Sequence, residues 1–535
     1  MLQLNNEGLM NKEAWKEKDI ELPLYDRVKI AKNTQKNPTW IHFGAGNIFR
    51  GFIANAYQKV LNNNKADTGI IAVESFDYEV IEKVYTPHDN LTLLVLMKAD
   101  GSFEKTVVGS IVESLTAVQA RKADQERLQK IFKEKSLQMV SFTITEKGYA
   151  LKNPQGAFFD IVLQDFEKGP LESYHTMSII TALMYTRYKE GAYPITLVSM
   201  DNCSHNGDIL KEAVITIGEE WHKRGFVEEG FITYLEDQNK VAYPLTMIDK
   251  ITPRPSKVVQ EKLEDLGIEN LEPIVTSKNS YMAPFVNAEI SEYLVIEDIF
   301  TNGRPELESA GVIFTDRETV NRIETMKVTT CLNPLHTGLA VSGCLLGYTL
   351  IADEMNNPVL KRFVEKIGYD EGLKVVVDPG IINPKEFLDE VVYERFMNPY
   401  IPDSPQRIAT DTSQKVGIRF GETIKSYMKD EVLNAKDLVA IPLALALWCR
   451  YLLGIDDQGA SFEISSDPLL EMLKNELKEV KLGNKDVSLK SILSNESIFG
   501  VDLYEAGLAD KIQDMFNELI KGPGAVIRTM EKYCT

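Results

Sequence analysis

Cysteine and histidine are scarce in this chain. Among 535 residues there are five cysteines (Cys203, Cys331, Cys344, Cys449 and Cys534) and six histidines. The cysteines are scattered and odd in number, with no CxxC pair and no Cys/His cluster. That pattern excludes a zinc ligand set and a disulfide framework, so reduced thiols in a cytoplasmic protein are expected. Long apolar runs are missing too. The longest, "LVAIPLALALWC" from Leu438 to Cys449, is too short to span a bilayer and contains Pro442, which predicts a core helix. The N-terminus, "MLQLNNEGLMNKEAWKEKDIELP", is polar and has no apolar signal core. Positive charge is in deficit: 59 Lys and Arg against 79 Asp and Glu give −20. This argues against nucleic acid or an anionic membrane as a partner, and an anionic substrate would need Arg or Lys placed locally.

What is present is a globular composition, 44% hydrophobic and 26% charged. At this length two or more domains are expected. The first half alternates short β-branched runs with amphipathic ones: "TWIHFG", "FIANAYQKVLNN", "TGIIAVES", "LTLLVLMKA", "SLQMVSFTIT" and "YPITLVSM". Such alternation predicts a parallel sheet covered by helices, an α/β Rossmann-type domain. Past "DRETVNRIETMKVTTCL" nearly every segment has helical periodicity, including "NPKEFLDEVVYERF" and "LADKIQDMFNELIKG". The connector "TNGRPELESAGVIF" suggests a boundary, giving an N-terminal domain over 1–312 and a mainly helical C-terminal domain over 313–535. A site near the junction is expected, since interdomain clefts commonly hold substrates.

"WIHFGAGNIFRGF" reads as strand, glycine turn, helix. Gly44 permits the tight turn, and Gly46 lets backbone N–H groups approach a pyrophosphate at the helix N-terminus. Phe49 takes the place of the usual third glycine. Arg50 is a candidate phosphate holder. The next strand, "GIIAVES", ends at Glu74, with Asp77 three residues on. Either carboxylate could accept from ribose hydroxyls and repel a 2′-phosphate, which favours NAD over NADP.

"KVTTCLNPLHTG" sets Lys327, Asn333 and His336 beside an apolar helix, where polar groups are costly unless paired or used. Asn333-Pro334 predicts an N-cap and first helical position. Chemically, hydride transfer between a nicotinamide and a secondary alcohol needs an acid/base at the oxygen and donors to its developing charge. A desolvated lysine and an asparagine amide can serve, with histidine holding a neighbouring hydroxyl.

The arrangement resembles the mannitol dehydrogenase family of polyol-specific long-chain dehydrogenases and reductases. Its signature is a lysine, an asparagine five on and a histidine three further. Here "LNPLHT" keeps Asn333 and His336, but Lys327 is six before Asn333. On a continuous α-helix that extra residue would rotate Lys327 off the face, so a chain break near Pro334 is expected. "GAGNIFRGF" resembles the family's N-terminal fingerprint, making Gly44, Gly46, Asn47, Phe49 and Arg50 the implied cofactor-binding residues. "TITEKGY" resembles the block whose glutamate, here Glu146, lies by the catalytic lysine. "SMDNCSHNGD" resembles the block whose asparagine, here Asn202, shares the oxyanion site with Asn333. "TMIDKITPRP" resembles a block whose aspartate is here Asp249.

"YERFMNPYIPDSPQRIATDTSQK" resembles the substrate-hydroxyl block, with Arg407 and Lys415 in place of its arginine and lysine. "DTSQK" and "CLNPLHT" look closest to the sugar-acid branch. The resemblance therefore implies metal-independent, NAD-dependent reduction of D-fructuronate to D-mannonate, with Lys327 as acid/base. Tagaturonate or mannitol is the alternative substrate, and a non-catalytic sugar-acid-binding protein is the alternative class. Oligomeric state is left open.

Overall fold

The computed structural model describes residues 2–484 and 488–534. They divide into two compact units, Met1–Lys98 with Ser102–Val320, and Ala99–Gly101 with Asn321–Thr535.

The first unit is built on six parallel strands: β1 (Trp40–Phe43), β2 (Ile70–Glu74), β3 (Ile111–Thr116), β4 (Met139–Phe142), β5 (Ile195–Ser199) and β6 (Val241–Ala242). In space they run β6-β5-β4-β1-β2-β3. That is the doubly wound dinucleotide-binding order, with its switch point where β1 lies between β2 and β4. Alternate residues serve opposite faces. Trp40, Ile70, Ala72 and Met139 pack with Phe52, Tyr57 and Leu61 from the turn and helix after β1, where α1 covers Ala54–Asn62. Ile41, Phe43, Ile71, Val73, Val140 and Phe142 face the other way. They meet α2 (Lys122–Lys133), α3 (Thr176–Gly191) and α4 (Asn206–Lys223). Both faces are covered, which is why these strands read as unbroken apolar runs.

One expected strand lies elsewhere. Thr92–Met97 pairs antiparallel with Phe103–Val108 and parallel with Phe285–Ala288, in a separate four-stranded sheet. The third parallel strand is β3 instead. It is the last strand of its sheet, and its middle residues are only half-buried, which blunts the apolar signal. A further sheet joins Thr246–Asp249, Tyr293–Glu297 and Ile313–Thr315.

Beyond Thr315 the described residues form helices and loops, with one isolated bridge between Ile455 and Ser461. Helix α5 (Arg317–Met326) leads through a π-helical turn, Lys327–Cys331, into α6 (Asn333–Leu346). Helix α6 packs on α7 (Ala440–Tyr451), which packs on α8 (Ala509–Leu519). Every residue of α7 is buried, as expected of a core helix. Its first N–H groups cannot reach water, and Glu371 accepts them: Val439 and Ala440 on Oε1 at 2.6 and 2.7 Å, Ile441 on Oε2 at 2.8 Å. No described helix is long and apolar enough to cross a membrane.

Candidate active site

At the end of β1 the chain turns through Gly44, whose φ of +104° favours glycine. A Cβ there would lie 2.1 Å from the Thr143 carbonyl oxygen at the end of β4. Gly46 has open space where its side chain would be. The turn is held from below by a buried network. His42 hydrogen-bonds Ser141 and Thr143 through its two ring nitrogens, at 2.7 and 2.8 Å. Thr143 Oγ1 donates to the Gly44 carbonyl at 3.2 Å. Burial pushes the His42 pKa down to about 3, so this imidazole is neutral and structural.

Of the two candidate acids after β2, Glu74 faces the turn. Its Oε2 accepts from Ala45 N–H at 3.0 Å and its Oε1 from Phe76 and Asp77 N–H at 2.9 and 3.3 Å. Burial pushes its carboxyl pKa up, while these N–H groups pull it down. Asp77 does not share that position. It is buried, and its Oδ2 accepts from Thr276 Oγ1 at 2.6 Å, tying down the hairpin around 276.

Two fingerprint residues are corrected by their burial. Phe49 is fully buried and stacks on His42 with ring centroids 3.8 Å apart, so it supports the turn as core. Arg50, expected to hold phosphate, is also fully buried. It donates to the Ala283 carbonyl at 2.8 Å and to Asn47 Oδ1 at 2.7 Å. Its charge is spent inside the fold, where it orients Asn47.

Asp201, after β5, organises the "TITEKGY" segment. It accepts from the N–H groups of Ile144 and Thr145 at 2.8 and 3.0 Å and from Tyr149 Oη at 2.7 Å. Glu146 is exposed in the short helix Thr145–Tyr149, and Asn202 is exposed beside Asp201. Asp249 is buried at the end of its strand.

In the second unit the motif spans a π-helical turn, one non-helical residue and the start of α6. Lys327, 4% exposed, opens the π-helical turn, and Leu332 N–H donates to its carbonyl at 3.1 Å. Leu332, with a non-helical φ of −130° and ψ of −63°, stands between that turn and α6, so the helical path is interrupted once, two residues before Pro334. A π turn takes in one residue more than an α turn. Nine α-helical steps from Lys327 to His336 would set them roughly 180° apart, and eight roughly 80°. The π turn thus holds the one residue more in the Lys327–His336 spacing. Asn333 is the first residue of α6 rather than its cap, because the helix enters through the π turn with Leu332 preceding it. Among the described residues its side-chain amide has no hydrogen-bond partner.

His336 Nε2 lies 3.1 Å from Asp403 Oδ2. Burial lowers its pKa, while Asp403 opposes and Arg407 and Arg419 reinforce that shift. Asp403 also accepts from Arg407 Nε at 2.8 Å. Lys415 donates to the Thr410 carbonyl, and burial and then Arg419 lower its pKa. Arg419 Nη1 donates to Thr337 Oγ1 at 2.6 Å. Nearby, Glu354 is fully buried with neither oxygen hydrogen-bonded. Burial, then Asp403, push its pKa well up.

Residues 38–309 match the Mannitol dehydrogenase Rossmann domain and residues 319–520 the Mannitol dehydrogenase C-terminal domain. The chain belongs to the mannitol dehydrogenase family of oxidoreductases. A D-mannonate oxidoreductase of Thermotoga maritima is 52% identical over 99% of each chain. A mannitol 2-dehydrogenase of Aspergillus fumigatus is 27% identical, also over 99% of each. Substrate-free D-sorbitol dehydrogenase superposes with a TM-score of 0.79 at 26% identity, covering 95% of this chain and 97% of that one. The Pseudomonas fluorescens mannitol 2-dehydrogenase, in a ternary complex with NAD and D-mannitol, has the same fold at a TM-score of 0.71. It is 24% identical over 99% of both chains.

Three residues that the motif reading did not single out carry this geometry: Asp201, Asp403 and Arg419. Helical spacing offered a signal for two of them. Asp403 is four before Arg407, and Arg419 is four after Lys415, a spacing at which charged side chains can meet. Asp201 stood beside Asn202 in the recognised block, but its partners come from a segment more than fifty residues earlier in the chain.

Proposed function

We propose that this protein is an NAD-dependent reductase that interconverts D-fructuronate and D-mannonate without a metal. The cofactor assignment rests on the first unit. The Gly44 conformation, the open space at Gly46 and the Glu74 carboxylate against the turn fit a dinucleotide. Its pyrophosphate would lie along the turn and its adenosine ribose hydroxyls at Glu74, where a 2′-phosphate would be repelled. When bound as NADH, the cofactor supplies the hydride.

The remaining work falls to side chains. Lys327, as an ammonium, gives its proton to the substrate oxygen as that oxygen becomes an alkoxide, and takes it back in the reverse direction. The unpartnered amide of Asn333 donates to the same oxygen, with Asn202 as second donor. His336, held by Asp403, orients a neighbouring hydroxyl. Arg407 and Lys415 bind the rest of the chain of hydroxyls. The exposed Glu146 serves proton exchange with solvent, and the buried Asp249 is the further acid of the first unit.

The observation that carries the substrate is a group of three cations in a chain of net charge −20: Arg407 and Arg419, which both act on His336, and Lys415, which feels both of them. A polyol needs hydroxyl donors; a uronate also needs positive charge. The 52% identical D-mannonate oxidoreductase supports the same choice. The test is NADH oxidation with chelator present, on D-fructuronate, D-tagaturonate and D-fructose in parallel. A kcat/KM at least tenfold higher for D-fructuronate is expected. A preference for D-fructose would overturn the uronate assignment.

A further inference from the structure

The three cations differ in what already neutralises them. Arg407 sits in an ion pair, its guanidinium on Asp403. Lys415 feels Asp411 and Asp467, though neither is within ion-pair distance, and its ammonium is used on a backbone carbonyl. Arg419 has no carboxylate partner at all among the described residues. Its one side-chain hydrogen bond goes from Nη1 to the Thr337 hydroxyl, which itself donates to the Asn333 carbonyl at 2.9 Å. Yet the group is mostly removed from water, and burial alone lowers its pKa to about 10. Among the described residues its Nε and Nη2 have no hydrogen-bond partner, and neither is a buried unpartnered atom. They form one open edge of the guanidinium fork.

An uncompensated, desolvated guanidinium is costly, and the cost rises with the Lys415 ammonium near enough for the two charges to interact. An anion seated on it removes that cost. The planar fork with two parallel N–H groups matches a carboxylate in bidentate geometry, which a lone ammonium does not. Thr337 fixes the fork one helical turn past Asn333, on the helix that also carries His336.

We propose that Arg419 is the residue that recognises the substrate's carboxylate, pairing with it through Nε and Nη2 while Thr337 holds Nη1. The proposal rests on the uronate reading above. It also sets the direction of the substrate: the ketone end at Asn333 and Lys327, the carboxylate end at Arg419. Arg407 and Lys415 then serve hydroxyl groups between them.

The test compares wild type, Arg419→Gln and Arg419→Lys at saturating NADH. Losing a charge-assisted bidentate pair should raise KM for D-fructuronate about 100-fold. In Arg419→Gln, kcat and NADH affinity should stay within about threefold. Arg419→Lys should recover about tenfold of the loss in KM. Inhibition by D-mannonate should weaken in parallel, while inhibition by D-mannitol should not. A KM within threefold of wild type in Arg419→Gln would overturn the proposal. So would equal weakening of D-mannonate and D-mannitol, or Arg419→Lys losing kcat and NADH binding together, since each points to a structural role. Failure of the wild type to turn over D-fructuronate would instead defeat the uronate reading itself.

Discussion

Deleting Val328 should leave the enzyme working. Lys327 and His336 are nine positions apart, and on a plain α-helix that is a rotation of roughly 180°, which points them to opposite sides. The π-helical turn Lys327–Cys331, closed by Leu332 N–H on the Lys327 carbonyl at 3.1 Å, holds one residue more than an α turn, and on helical steps alone that count corresponds to roughly 80°. Removing one residue within that turn converts it to an α turn and keeps the same angle. Val328 is the residue to remove, since it is only half-buried and its side chain makes no hydrogen bond. The expected kcat for D-fructuronate is within about tenfold of wild type. Inserting an alanine after Val328 instead adds roughly 100° and should cost about 10³-fold, the range lost when a general acid is misplaced. Both variants are assayed by NADH oxidation, with NADH affinity as the measure of an intact first unit. A deletion that abolishes turnover while NADH binds normally would refute the reasoning.

Glu74→Gln replaces an acceptor of three backbone N–H groups with an amide that must present N–H to one of them. NADH should bind about tenfold more weakly, and the preference for NADH over NADPH, measured as a ratio of kcat/KM, should fall by at least about tenfold. His42 titrates with a pKa lowered from 6.5 to about 3 by burial, so the folded state holds it neutral while the unfolded state protonates it below 6.5. Its stabilisation is therefore full above that pH and shrinks as pH falls, by about 2 kcal/mol at pH 5. Urea unfolding of the first unit at pH 7 and pH 5 should show a difference smaller by about that amount in His42→Asn; an unchanged difference would contradict the assignment.

The parallel sheet was legible because strands buried on both faces read as apolar runs, as "WIHF" and "IIAV" do. Strand β3 was not, because its outer position leaves Val112, Glu113 and Ser114 half-buried. Thr92–Met97 carried the same apolar signal as the others, and only its antiparallel partner assigned it to a second sheet. Periodicity reports burial, not which neighbour does the burying. At the site, residue types and spacing singled out Gly44 and Glu74, which meet at one turn, and Lys327 and His336, whose roles are proposals. They misplaced Arg50 and Phe49, since a fingerprint gives positions near a turn but not which side chains face inward. The π turn was out of reach for a related reason. One extra residue signals either a break or a bulge, and this chain has both, the π turn and the non-helical Leu332.

The account stands or falls on Lys327. The measurement is kcat for D-fructuronate reduction by Lys327→Ala, alongside its dissociation constant for NADH. Loss of about 10³-fold or more in kcat, with NADH affinity within twofold and partial rescue by added methylamine, is the result expected of a missing general acid. A kcat within tenfold of wild type would contradict it, and would return "KVTTCLNPLHTG" to being a turn between two helices.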